Sequence, residues 1–270
     1  MWQIVHFLSF MKKSACLAFA LMALVLWSCE SESDQQTVTG NGVAKTETRE
    51  SESFSKVETS GDVTVHYLKG STPSVKISCD ENLLEYIETS ISGDVMSVKP
   101  KAGVVLNSKN VIRVTITSKS LTTIDLLGSG IVSADYMTGQ NVDVTINGSG
   151  KLTIGNISTT NLNLSVSGTA NVALGGVMTN ITSRIEGSGK MILSGTNTKH
   201  NLTIVGTGVA QCYDLKSINT DVVLTGAAKA ELSVSKSLSV NAAQGGTVYY
   251  KGSPSITENL HGSGSLVNAN

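Results

Sequence analysis

The residues able to do chemistry are few and scattered. Cleaving a glycosidic bond needs two carboxylates facing one sugar, one to protonate the leaving oxygen and one to attack or activate water. A Ca²⁺-dependent lyase needs acids gathered into one cluster. The candidates in the C-terminal half are Asp135, Asp143, Glu186, Asp214, Asp221, Glu231 and Glu258. Arg184 is the only Arg after residue 113. His66, His200 and His261 could ligate a metal only if two or three met with Asp, Glu or Cys, and they share no ligand spacing. Whether any of these groups meet depends on the elements that carry them.

Those elements repeat. Gly128-Ser129-Gly130 recurs as Gly148-Ser149-Gly150, Gly187-Ser188-Gly189 and Gly262-Ser263-Gly264. Degenerate copies begin at Gly168, Gly206, Gly226 and Gln244. The intervals are 20, 20, 19, 19, 20, 18 and 18 residues. Before each turn apolar residues alternate, as in Val144/Ile146, Leu164/Val166 and Leu202/Ile204. After it they alternate again, as in Leu152/Ile154, Met191/Leu193 and Ala230/Leu232. Period two on both sides of a Gly turn means two half-buried strands. A third, weaker apolar column runs through Met137, Ile157, Val177 and Leu215.

Two strands and a short third side, repeated every 18–20 residues, predict a triangular β-solenoid rung. A single rung cannot bury its inward side chains, so rungs must stack, about 4.8 Å apart, like on like. Seven intervals give a rod of roughly 34 Å over residues 121–270. Residues 54–120 repeat less cleanly. Thr59-Ser60-Gly61 sits in the same register, and Ile91-Ser92-Gly93 reads as a further corner, so this part is expected to hold rungs with inserted loops. Glu81–Glu88 suits a helical turn in one insertion.

In this register the acids do not pair. Asp143 and Asp221 share a position but lie four rungs apart, about 19 Å. Asp135 and Asp214 are likewise four rungs apart. Glu186, Glu231 and Glu258 fall at different positions. No catalytic residues, metal site or cofactor follow, and a non-enzyme is expected. Cys212 takes an inward slot, where it acts as a small hydrophobe. Cys79 and Cys212 are too far apart in sequence to build a disulfide framework.

A binding surface fits the pattern better. The strand before each turn carries an outward polar column that includes Thr145, Asn163, Ser165, Ser167 and Thr203. Tyr136 and Tyr213 lie four rungs apart on another side, and aromatic rings are what sugar sites add to polar contacts. These seven residues are the candidate ligand surface, for a glycan or a protein.

Composition agrees. Lys+Arg number 20 against Asp+Glu 21, which leaves no electrostatic footprint for nucleic acid. Charged residues are 15%, aromatics 4%, and there are 26 Gly. These values argue against a charged helical bundle, and a single apolar run argues against a multi-span membrane protein. That run, Ala15 to Trp27, follows Met11-Lys12-Lys13 and is short for a spanning helix. It ends in Leu26-Trp27-Ser28-Cys29, which resembles the lipobox of bacterial lipoproteins. Residues 1–28 therefore read as a signal peptide starting in earnest at Met11, with Cys29 the lipidated residue. Residues 29–53 read as a lipidated N-terminus and flexible tether. The acidic patch Glu30-Ser31-Glu32-Ser33-Asp34 is similar to the export signal that carries Bacteroidetes lipoproteins to the outer face of the outer membrane.

Phe54-Ser55-Lys56-Val57-Glu58-Thr59-Ser60-Gly61-Asp62-Val63, Asp80-Glu81-Asn82-Leu83-Leu84 and the later Gly-Ser-Gly turns together resemble the putative auto-transporter adhesin, head GIN domain family, abundant in Bacteroidetes lipoproteins. The resemblance covers roughly residues 54–250 and implies a right-handed parallel β-helix. The expectation is an all-β, lipid-anchored outer-membrane protein, exposed at the cell surface, that serves adhesion or assembly without catalysis. A glycan-binding module for polysaccharide capture is the alternative. Contact with the membrane is expected through the N-terminal lipid only. No nucleic-acid partner is expected, and oligomerisation is left open by an uncovered last rung near Leu266.

Overall fold

A computed structural model describes residues 35–270. The segment read as a signal peptide, with Met11, and Cys29, read as the lipidated residue, lie outside the described residues. About 74% of the chain is strand, stacked into a β-solenoid of about seven turns.

The N-terminal part is built from short strands. β1 (Gln36–Thr39) and β2 (Ala44–Glu50) come first, then β3 (Lys56–Ser60), β4 (Thr64–Lys69) and β5 (Ser74–Asp80). A single 3₁₀ turn, Glu81–Tyr86, buries Leu83 and Leu84. β6 (Ile87–Ser92), β7 (Val95–Pro100), β8 (Val104–Asn107) and β9 (Arg113–Ser118) follow. β1 pairs in parallel with β8, and β2 pairs antiparallel with β5 along its whole length.

Two expectations are corrected here. The segment 29–53, read as a flexible tether, folds in its described part. Its polar strand β2 gave no apolar period because backbone pairing to β5 holds it, not burial of a face. Arg49 fastens it further, donating to the carbonyls of Ile87 and Leu84 and to Thr89 Oγ1. The second correction concerns Ile91-Ser92-Gly93, which is no rung corner. It forms the tip of the antiparallel β6–β7 hairpin, with Gly93 at φ 61°.

From β10 (Thr123–Gly128) onward the stack is regular. β11 (Ile131–Gly148), β12 (Lys151–Gly168), β13 (Asn171–Gly187), β14 (Lys190–Gly206), β15 (Val209–Thr225) and β16 (Lys229–Ala243) are each a whole rung. Each runs from one Gly turn to the next as a single strand, with register shifts between Ile154 and Ile157, Ile192 and Gly195, and Cys212 and Lys216. β17 (Thr247–Lys251), β18 (Ser255–Leu260) and β19 (Ser265–Asn268) extend the stack. The pairings from β10 to β19 are parallel, and Val144↔Leu164 and Leu152↔Val172 confirm the register read from the sequence. Seventeen strands join one continuous sheet. Its interior is one apolar core running from Phe54 to Val248.

The corner shows why Gly recurs. Gly148 has φ 135°, and a Cβ there would press on the carbonyl oxygen of Gly128 in the rung before. No side chain fits between rungs held at hydrogen-bonding distance. Gln244 adopts φ 59° at its own corner, the one such non-Gly residue among those described.

The third side departs from its expected column. Met137, Ile157 and Leu215 are buried, but Val177 is 64% exposed. Gly176 and Gly195 occupy the inward slots between Ile157 and Leu215, at φ 146° and 109°. The resulting shift turns Val177 out and Met178 in.

Candidate functional site

The polar strand face assembles as its register requires. Thr145, Ser165, Arg184 and Thr203 are successive partners in one outward column. Asp143 and Asn163 stand beside them, with Asn163 Nδ2 donating to Asp143 Oδ1 at 2.8 Å. Ser167 follows Asn147 in a third column, ahead of Glu186. Arg184 and Glu186 form a surface ion pair within their rung. Five of the seven candidate residues thus share one face. The neighbouring side of the polar edge carries an amide ladder, in which Asn161 donates to Asn141 at 2.9 Å and Asn180 to Asn161 at 3.0 Å.

Tyr136 and Tyr213 are not brought together. Tyr136 lies under Lys69, whose Nζ is 5.3 Å from the ring centroid. Tyr213 lies under Lys251 at 4.6 Å. Sequence reasoning missed the company Tyr213 keeps. Lys229 stands 4.8 Å over the ring of Tyr249 and bonds Glu231 at 2.7 Å. Lys216 Nζ reaches the carbonyl oxygen of Tyr213 at 3.1 Å. Burial, then the nearby Glu231 charge, push the Tyr213 phenol upward. The signal that could have revealed this cluster was Tyr249 and Lys251 two rungs on. A register shift between Cys212 and Lys216 hid it by moving Tyr213 toward the corner.

The groups with catalytic potential stay apart. Asp221 pairs with Lys199 at 3.4 Å, and Asp143 accepts from Asn163. His66 Nδ1 meets Ser133 Oγ at 2.8 Å. His200 is fully buried, and its Nε2 lies 2.7 Å from Ser183 Oγ. Burial pulls its imidazole down to about 4. No three His, Cys, Asp or Glu side chains gather around a common point among the described residues. Cys79 and Cys212 are free and buried, and burial raises their thiols to about 11 and about 12.

Asp80 is the most heavily bonded carboxylate. Oδ2 accepts from Ser108 Oγ, the Lys109 N–H and the Asn110 N–H, and Oδ1 from the Gly42 N–H and Asn110 Nδ2. Burial raises this carboxyl, but the hydrogen bonds from Ser108, Asn110 and Lys109 outweigh it and hold the group at about 2. All its lone-pair directions are used by protein donors, so Asp80 pins three chain segments together.

A family model described as "Putative auto-transporter adhesin, head GIN domain" matches residues 53–191 and 177–254. The chain belongs to this family. Solved structures share the fold of this head GIN domain. A putative adhesin from Parabacteroides merdae is 24% identical, with a TM-score of 0.81 over 86% of this chain and 99% of its own. A putative adhesin from Parabacteroides distasonis is 22% identical, with a TM-score of 0.81 over 86% and 99%. A putative lipid binding protein from the same species is 20% identical, with a TM-score of 0.81 over 86% and 100%. No curated protein matches this chain.

Proposed function

We propose that the protein is a lipid-anchored envelope protein whose solenoid displays a surface for adhesion or assembly and does no chemistry. Acylated Cys29 holds it to the outer membrane, and the solenoid faces the cell exterior. The polar strand face carries this reading. Thr145, Ser165, Arg184 and Thr203 stack in one column of a rigid sheet, and their neighbours offer amides and hydroxyls at each rung. Such a face can dock a flat partner with little loss of side-chain freedom. Cys29→Ala is expected to release the protein from the membrane fraction, and protease added to intact cells is expected to shave the parent protein. A Cys29→Ala protein that still partitions with membranes, or a parent resistant to shaving, removes the anchor or the exposure from the reading.

A second reading, a glycan-binding module, is favoured by the Tyr213–Tyr249 cluster. Two phenol rings with ammonium groups beside them suit sugar rings with acidic substituents. A pull-down on acidic polysaccharide that Tyr213→Ala weakens, while Tyr136→Ala does not, supports it. Equal loss in both variants, or none, removes it.

A further inference from the structure

The third side of β13 to β16 holds a concavity that the polar face does not share. It is a groove of about 580 Å³ on the third side, running along the stack from Val177 to Ser253. It crosses five rungs, about 19 Å at the rung spacing. Its floor is Met178, Asn197, Ser217 and Val234, partners in successive rungs. Val177 and Ile218, 64% and 42% exposed, stand on its edges.

The chemistry of the lining narrows the occupant. Three of its four serine hydroxyls bond within the protein. Ser217 Oγ donates to Asn197 Oδ1, Ser235 Oγ donates to the carbonyl oxygen of Ser217, and Ser233 Oγ accepts from Lys216. What faces outward is largely methyl and methylene, and no aromatic ring lines the groove to stack on a sugar. Lys216 is the one charged residue of the lining. Around the corner Lys251 and Lys229 gather on the same Tyr213 edge, where Glu231 is already tied to Lys229. On the groove floor Asn197 is 5% exposed and its Nδ2 has no partner, which leaves a spare amide donor in the rung next to Lys216. A narrow apolar trough with an ammonium and a spare amide donor on one side matches an amphiphile with one alkyl chain and an anionic oxygen head.

We propose that this groove binds a long-chain fatty carboxylate, its chain along Val177, Met178, Ile218 and Val234 and its carboxylate at Lys216. This goes beyond the adhesion reading, uses a different side of the solenoid and stands or falls separately from it. An open trough covers about half of each methylene, so affinity should rise about twofold per methylene. The rise should stop once the chain outruns the groove.

The test is calorimetric titration of the protein with octanoate, decanoate, dodecanoate and tetradecanoate below their micelle concentrations, with dodecan-1-ol as the uncharged comparison. Ile218→Asp changes an exposed edge residue, and circular dichroism verifies its fold. It should weaken dodecanoate about tenfold or more. Lys216→Met should bring dodecanoate down to the affinity of dodecanol and leave dodecanol unchanged. Thr145→Asp, on the polar face, should leave both unchanged. Absence of binding, affinity independent of chain length, groove variants that bind like the parent, or displacement of dodecanoate by an acidic oligosaccharide would each overturn the proposal.

Discussion

Replacing His200 and Ser183 by leucine should remove most of the acid sensitivity of this fold. His200 occupies an inward column in which Val142, Leu162 and Ile181 precede it and Thr220 and Leu238 follow. It is fully buried, Ser183 Oγ contacts Nε2, and neither Nδ1 nor Thr220 Oγ1 has a partner. The fold therefore holds the ring neutral down to about 4, against an ordinary 6.5 in the unfolded chain. Below 6.5 the unfolded chain takes up a proton that the folded chain refuses, so stability falls as the pH drops and levels off below about 4. At about 1.4 kcal/mol per pH unit of difference, the full loss approaches ~3 kcal/mol, of which about 2 falls between pH 7 and pH 5. Leucine at both positions continues the aliphatic columns above and below. Urea unfolding at pH 7 and pH 5, followed by circular dichroism, should show the parent losing about 2 kcal/mol more than the double variant over that interval. A double variant that loses as much as the parent would refute the assignment of this acid sensitivity to His200.

Other expectations follow from single sites. Gly148→Ala places a Cβ against the Gly128 carbonyl at a backbone angle that disfavours side chains, and should cost about 1–3 kcal/mol in the same unfolding assay; an unchanged midpoint would mean that adjacent rungs can part locally. Asp80→Ala frees the Gly42, Ser108 and Asn110 segments, so amide exchange should speed up selectively across β1, β2 and β8. In the parent, the stability that Asp80 supplies is present above about 3.8 and lost as the pH falls through about 2, so the difference between parent and variant should shrink at strong acid. With thiols raised to about 11 and about 12 by burial, Cys79 and Cys212 should resist iodoacetamide at pH 8 until urea unfolds the chain, and rapid labelling of either in native buffer would contradict its burial.

The regular rungs were legible because a two-residue period and a fixed interval are direct signs of stacked half-buried strands. Val144, Leu164 and Leu202 read as inward from the sequence alone, and Thr145, Ser165 and Thr203 as outward. Legibility failed where the period did. β2 is held by backbone pairing and by Arg49, neither of which leaves an apolar rhythm. β13 has one residue fewer than β12 ahead of the third side, so Gly176 took the inward slot opposite Ile157, Val177 went out and Met178 went in. The same kind of slip at Cys212–Lys216 concealed the lysines that surround Tyr213. His200 was hidden for another reason. A polar residue in a buried column looks like a surface residue until its neighbours in the adjacent rungs are known.

The order of rungs in space differs from their order in the chain. β3 pairs with β7 on one side and β10 on the other, and β4 with β9 and β11. The segment Lys56–Lys69 is therefore a filling between two layers made later. Its first rung closes only after the chain has reached Arg113, and the next only after Thr123 and Ile131. Closing such long loops is the slow, entropically costly stage of assembly. Beyond it each rung finds its template among the preceding 18–20 residues and adds with a short loop. Folding should thus have one nucleation barrier near the N-terminus, followed by rapid zipping toward the C-terminus. That polarity suits a chain that becomes available N-terminus first, because each rung can lock as soon as its residues are free.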